Sequence, residues 1–156
     1  MLTKTTESAV RALIFLALKE EEEPISPRLL AESLGESPTY MAKIMQRLVK
    51  SGILRAHRGV AGGVTLLVEP KEITLLDIVE SCQGKILGDY CHDTNDLRVA
   101  CAFHHAMYEV HKSTTELLRK WTLADLAEKP VHTLQGDHLT GCRMNGVCPK
   151  VRLKSK

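Results

Sequence analysis

Two short helices in this chain are bracketed by the same punctuation. Ser26-Pro27 opens the first and Gly35 stops it; Ser37-Pro38 opens the second and Gly52 closes it. A serine at the cap accepts a bond from an otherwise orphan amide, proline at the first helical position has its φ already set, and glycine takes the left-handed turn that ends a helix. Between these marks the apolar residues fall at helical spacing, Leu29, Leu30, Ala31 and Leu34 in one segment, Met41, Ile44, Met45, Leu48 and Val49 in the other. Helices this short gain their stability from packing, so the pair is predicted to close on a shared core as a helix-turn-helix. Directly after it, Ile53 to Ala56 and Val64 to Val68 are β-type runs flanking Arg58-Gly59-Val60-Ala61-Gly62-Gly63, which predicts a hairpin, or wing.

The flanking segments add helices. Val10, Leu13, Ile14, Ala17 and Leu18 share one face of a helix expected over Thr5 to Lys19, after which Glu20 to Glu23 and Pro24 form a solvated loop. Thr74 is the expected cap of a helix over Ile73 to Val79, and Gly84 and Gly88 mark a connection beyond it. From Asn95 to Trp121 there is neither Gly nor Pro, and Ala100, Phe103, Met107, Val110, Thr114, Leu117 and Trp121 alternate steps of three and four. A helix over that whole span would be roughly 40 Å long, more than a small domain needs for its own core, so its use is to pair with a second copy. Leu123 to Ala127 is a brief helix, and past Pro130 the chain turns polar.

The expected fold is therefore mainly α: a winged helix-turn-helix with a two-stranded β wing and a long C-terminal dimerisation helix. Residues 1–82 form the winged unit, 83–94 a connecting loop, 95–128 the dimerisation helix with its short successor, and 129–156 a basic tail. A length of 156 residues and 44% apolar content suit one main domain.

Charge says where a partner would sit. The net charge of +2 is small, but Ser37 to Val68 holds five Lys or Arg and no acid, and Leu139 to Lys156 repeats that balance. The longest apolar run, the seven residues Ala12 to Leu18, falls far short of the roughly 20 a membrane helix needs. No small-residue cleavage site follows that run, so neither a membrane span nor a secretory signal is expected and the protein is placed in the cytoplasm. There the five cysteines, Cys82, Cys91, Cys101, Cys142 and Cys148, read as metal ligands, redox thiols or buried apolar groups rather than a disulfide framework. With no Cys-x-x-Cys, no Gly-x-Ser-x-Gly and no phosphate-binding glycine loop, an enzyme is not expected.

A helix-turn-helix sets the start of its second helix against base edges in the major groove of double-stranded DNA, with phosphate contacts fixing register. Ser37, Thr39, Tyr40 and Lys43 occupy that end here, Thr39 suited to a base edge or thymine methyl and Lys43 to guanine O6 or N7. Tyr40, Gln46 and Arg47 suit phosphates or flanking bases. Arg58, on the tip formed with Gly59 and Gly62, suits the narrower minor groove. A winged helix that binds protein instead is the competing reading, and it predicts binding insensitive to salt.

Several of these segments together resemble a known family. The opening Leu2-Thr3-Lys4 with Ala9-Val10-Arg11-Ala12-Leu13, then Leu48-Val49-Lys50-Ser51-Gly52-Ile53-Leu54, the wing Arg58-Gly59-x-x-Gly62-Gly63-Val64, and Ile73-Thr74-Leu75-Leu76-Asp77-Ile78 look like the IscR/NsrR/CymR (Rrf-two) winged-helix regulators of bacteria, over about residues 2 to 128. The resemblance implies a homodimeric transcription factor, usually a repressor, that reads a palindromic operator with two recognition helices and two wings. It also implies a sensory region just before the dimerisation helix.

In the cluster-binding branches of that family three cysteines lie in this region, with a fourth ligand from a histidine or from an acid on the partner's first helix. Here the matching window runs from Cys91-His92 to Cys101-Ala102-Phe103-His104, and the usual middle cysteine is absent. Cys101 and His104 at i and i+3 can face one metal, with Cys91 reaching it from the loop and Glu7 of the partner subunit as the fourth candidate. Thiolate and imidazole suit an iron-sulfur cluster, 2Fe-2S ahead of 4Fe-4S, or zinc. A metal-free regulator of the same fold, controlled by thiol oxidation or by a partner protein, is the alternative. Cys82 is read as a small buried apolar group, and Cys142 with Cys148 as a pair able to share a metal or a reversible disulfide.

Overall fold

The computed structural model describes residues 2–19, 23–59, 62–86 and 101–128. Expectations for Glu20 to Glu22, Val60, Ala61, Cys91, His92 and the tail with Cys142 and Cys148 lie outside the described residues. The elements in order are α1 (Lys4–Ala17), α2 (Pro27–Leu34), α3 (Pro38–Lys50), β1 (Leu54–His57), β2 (Gly63–Leu66), α4 (Leu75–Gln83), α5 (Ala102–Lys120) and α6 (Leu123–Glu128).

Local chemistry sets most of these boundaries. Ser26 Oγ accepts from the amide of Leu29 at 3.2 Å and Ser37 Oγ from that of Tyr40 at 3.2 Å, each just ahead of a proline. Gly35 ends α2 at φ +67°, a conformation that favours glycine. Thr74 and Asp77 cap α4 reciprocally: the Asp77 amide donates to Thr74 Oγ1 at 3.2 Å, and Asp77 Oδ2 accepts from the Thr74 amide at 2.9 Å. Thr122 and Asp125 do the same for α6.

The core is a single cluster drawn from α1, α2, α3, α4, α6 and the wing. Leu13, Leu30, Met41, Ile44, Leu48, Ile78 and Leu123 are its largest fully buried members. Leu29, expected inside, is exposed. A helix of eight residues shows one stripe to the core, and Leu30, Ala31 and Leu34 take it. β1 and β2 pair antiparallel, Leu54 opposite Leu66 and His57 opposite Gly63. The chain ahead of α2 joins this hairpin as well, for Ile25 and Val64 exchange backbone bonds of 3.1 and 2.9 Å, an attachment the hairpin pattern did not predict.

The long helix departs from expectation. Its N-cap is Cys101, in extended conformation, so α5 has 19 residues and the expected helix does not run unbroken through Cys101; the expectation for Asn95 to Ala100 lies outside the described residues. Nothing in the residue types there marks the break, since neither Gly nor Pro is present. At its other end the chain turns back onto the winged unit. The Leu75 amide donates to the Trp121 carbonyl and the Leu123 amide to the Ile73 carbonyl, both at 2.8 Å. Within one chain α5 lies against α4, and Thr115 is its only buried residue. Phe103, Val110 and Leu117, seven residues apart in turn, are exposed at 64%, 50% and 60%, so the seam does not pack on α1.

Candidate nucleic-acid interface

α3 and the hairpin expose Lys43, Arg47, Lys50, Arg55 and Arg58 with no acid among them. Thr39, Lys43 and Gln46 are exposed on α3, with Met41, Ile44, Met45 and Leu48 on the opposite, buried side. This division follows from the helical period: the core takes one stripe and leaves the other for a partner. Ser37 is exposed, but its hydroxyl is occupied in capping the helix.

Two of the residues expected to point outward also bond to other helices. Tyr40 is half-buried against the core, and its hydroxyl lies 3.3 Å from Thr5 Oγ1 on α1. Arg47 is exposed along its length, yet its guanidinium donates to the carbonyl of Cys82 in the last turn of α4. Both side chains reach a neighbouring helix, a tertiary event that helical spacing does not encode.

The wing tip is built by glycines. Gly59 holds φ +108°, and the Gly62 amide donates to the Gly59 carbonyl at 3.0 Å. A Cβ at Gly62 would stand 2.6 Å from the His57 carbonyl oxygen and 2.8 Å from that of Gly59, so this position leaves no room for a side chain. Arg58 is exposed on this tip. Behind it His57 Nε2 and Thr65 Oγ1, 2.9 Å apart, link the two strands.

A polar clamp that sequence reading missed ties α1 to the turn between α2 and α3. Arg11 donates from Nη2 to the Leu34 carbonyl at 2.9 Å, and its Nη1 lies 3.5 Å from Glu36 Oε1. Glu36 Oε1 also accepts from Ser8 Oγ at 2.9 Å. Arg11 and Glu36 side chains are 18% and 13% exposed, so the pair sits largely out of water. Ser8 and Arg11 one turn apart on α1 were the local sign, but their partners lie far along the chain.

Of the metal-ligand candidates, Cys91 lies outside the described residues. Cys101 is exposed at the start of α5. His104, one turn further, has its Nδ1 buried and without a hydrogen-bond partner among the described residues. Glu7 is half-buried in the first turn of α1. Among the described residues no three His, Cys, Asp or Glu side chains converge on a point that would hold a metal. Cys82 is buried as expected, at 4% exposure. Burial pushes its thiol above the ordinary range, against the opposing influence of the Arg47 charge and a hydrogen bond with Thr6.

This geometry has close parallels. The family model described as Rrf2, iron-dependent transcriptional regulator, matches residues 2–129. The chain belongs to the Rrf2 family. The transcriptional repressor NsrR of Streptomyces coelicolor is 32% identical over 132 residues, covering 83% of this chain and 89% of that protein. Among solved structures, T. potens IscR matches with a TM-score of 0.67 and 28% identity over 87% of this chain and 93% of that one. CymR, the global cysteine regulator of B. subtilis, matches with a TM-score of 0.66 and 26% identity over 81% of this chain and 95% of that one. Rrf2 proteins are transcriptional regulators rather than enzymes, and this chain is a DNA-binding regulator of the winged-helix kind. None of its described helices is long and apolar enough to cross a membrane.

Proposed function

We propose that this Rrf2 protein acts as a homodimeric repressor that reads a palindromic operator and reports redox, nitric oxide or iron status through an iron-sulfur cluster. In this reading residues 1–82 read DNA, 83–94 sense, 95–128 pair the two copies, and the basic tail lies outside both tasks. Thr39, Lys43 and Gln46 face the major groove, and Arg58 enters the minor groove from the wing. The exposed row Phe103, Val110 and Leu117 carries the reading: apolar positions one heptad apart and open to solvent are what a partner helix covers. Cys101 stands at the head of that same helix.

Cys91, Cys101 and His104, with Glu7 of the partner subunit, would hold the cluster. Thiolate and imidazole suit iron, and the unpartnered Nδ1 of His104 beside the exposed Cys101 fits the donor set in part. When bound, a cluster supplies a centre whose charge changes on oxidation and which is lost to nitric oxide or to iron scarcity. The residues' own task is to fix the start of α5, so that a change at Cys101 is felt at the pairing helix.

A second reading keeps the fold and dispenses with metal, the exposed Cys101 thiol responding to oxidation or a protein partner to the dimer. The absence of the family's usual middle cysteine between Cys91 and Cys101 favours it. The absorption spectrum and iron content of full-length protein purified without oxygen decide between them. A brown sample that Cys101→Ala bleaches with the fold intact supports the cluster; colourless, iron-free protein defeats it. Binding to promoter fragments that weakens steeply with salt is expected in either case.

A further inference from the structure

We propose that the last turn of α4 is a coupling joint in which Arg47 is a positioning residue, fastening α3 to the point where the sensory segment begins. The inference rests on the assignment of α3 to DNA made above.

Three elements meet in this turn. From α3, the Arg47 guanidinium donates to the Cys82 carbonyl. From the start of α1, the Thr3 amide and the Thr6 hydroxyl donate to Gln83 Oε1 at 3.3 and 3.1 Å. Thr6 is fully buried and Cys82 nearly so, while Arg47 and Gln83 are exposed, so the joint sits at the edge of the core. Gly84 leaves the helix at φ +81°, and the chain runs on to Cys91.

The final carbonyls of a helix have no intrahelical partner, and a cation is favoured at that end. Arg47 supplies both the donor and the charge from a different helix. It lies one turn from Lys43 on α3, so a shift of the α4 terminus displaces the stretch of α3 that holds Lys43. Gln83 ties the same terminus to α1, whose first turn bears Glu7. A change arriving along the sensory segment therefore meets α3 and α1 together. A guanidinium has five N–H donors, so the bond to Cys82 does not by itself exclude a phosphate contact. The salt dependence below separates the two roles.

The experiment uses full-length protein and a duplex that the wild type selects from a random library. Hydrogen exchange in residues 79–86 is compared with and without duplex, since coupling between two sites acts in both directions. Wild type is expected to slow exchange there by about fivefold or more on binding, and Arg47→Met by less than about twofold. Arg47→Lys, which keeps a cationic donor, falls between them. Gln83→Leu removes the other half of the joint, is expected to weaken the transmitted change likewise, and stands in if Arg47→Met does not fold.

The slope of log affinity against log salt should be the same in Arg47→Met as in wild type. A slope reduced by about 0.9 for each arginine lost would assign Arg47 to a phosphate and overturn the joint. So would wild-type protein that binds its duplex with no change in α4. If no duplex can be selected at all, the DNA assignment itself fails and takes the joint with it.

Discussion

Gly63→Ala tests how the wing is held. Gly63 has ordinary strand geometry, so the substitution acts through space alone. A Cβ there would stand 2.4 Å from the carbonyl oxygen of Ile25, 2.5 Å from its carbonyl carbon and 2.9 Å from its nitrogen. These are backbone atoms and cannot swing aside. Relief requires the wing to part from the 23–26 segment, breaking the two bonds between Ile25 and Val64. At about 1 kcal/mol for each net backbone bond, the loss is about 2 kcal/mol. In a chain of this size that lowers the melting midpoint by roughly 4 to 8 °C. Urea unfolding should show a lower midpoint with an unchanged slope. The hairpin itself stays paired, so the second consequence concerns aim: Arg58 loses its fixed approach to the duplex. If binding must restore the docked wing, affinity falls by up to about 30-fold, the equivalent of 2 kcal/mol. Gly63→Ala protein with a wild-type urea midpoint and affinity within about threefold would refute the docking argument.

Phe103→Glu combined with Leu117→Glu should convert a dimer to a monomer in sedimentation analysis while leaving the helix content unchanged; a double variant with the wild-type mass would remove the pairing role of α5. Arg11→Met should cost about 1 to 3 kcal/mol in urea unfolding, because the Leu34 carbonyl and Glu36 lose a charged donor in a largely buried place; a loss under about 0.5 kcal/mol, the scatter of ordinary surface changes, would show that the clamp is ornamental. Cys101 should react rapidly with maleimide in the folded protein and Cys82 only after unfolding, read by peptide mass. The raised thiol of Cys82 keeps its proton in the folded chain when the unfolded chain has begun to release it near pH 9.0. Stability should therefore fall as pH rises above that value and continue to fall until the folded thiol ionises. Cys82→Ala should flatten this alkaline decline, and identical pH profiles would contradict the assignment.

What could be read from the chain beforehand was local. Ser26, Ser37 and Thr74 announce helix starts because a cap is settled within three residues, and Gly35 announces a stop because the left-handed turn needs no distant partner. The basic face of α3 was legible for the same reason, the core claiming Met41, Ile44, Met45 and Leu48 at helical spacing. The inward bonds of Tyr40 and Arg47 were not legible because their partners, Thr5 and Cys82, lie 35 residues away in opposite directions. The Arg11 and Glu36 clamp and the bridge from Ile25 to Val64 were missed for that reason too. The start of α5 at Cys101 had no signal in residue type, because the heptad spacing runs through that position in the sequence.

The return at Trp121 and Thr122 leaves no slack between α5 and the winged unit. Backbone bonds stitch the end of α5 to the start of α4 on both sides of the turn, with no tether of glycine or serine to stretch. Wherever two copies join through α5, the distance between their heads is therefore dictated by main-chain geometry rather than by an adjustable strap. Such a protein should tolerate substitutions within a half-site far better than one extra base pair inserted between the halves, which rotates one target face by about a tenth of a turn.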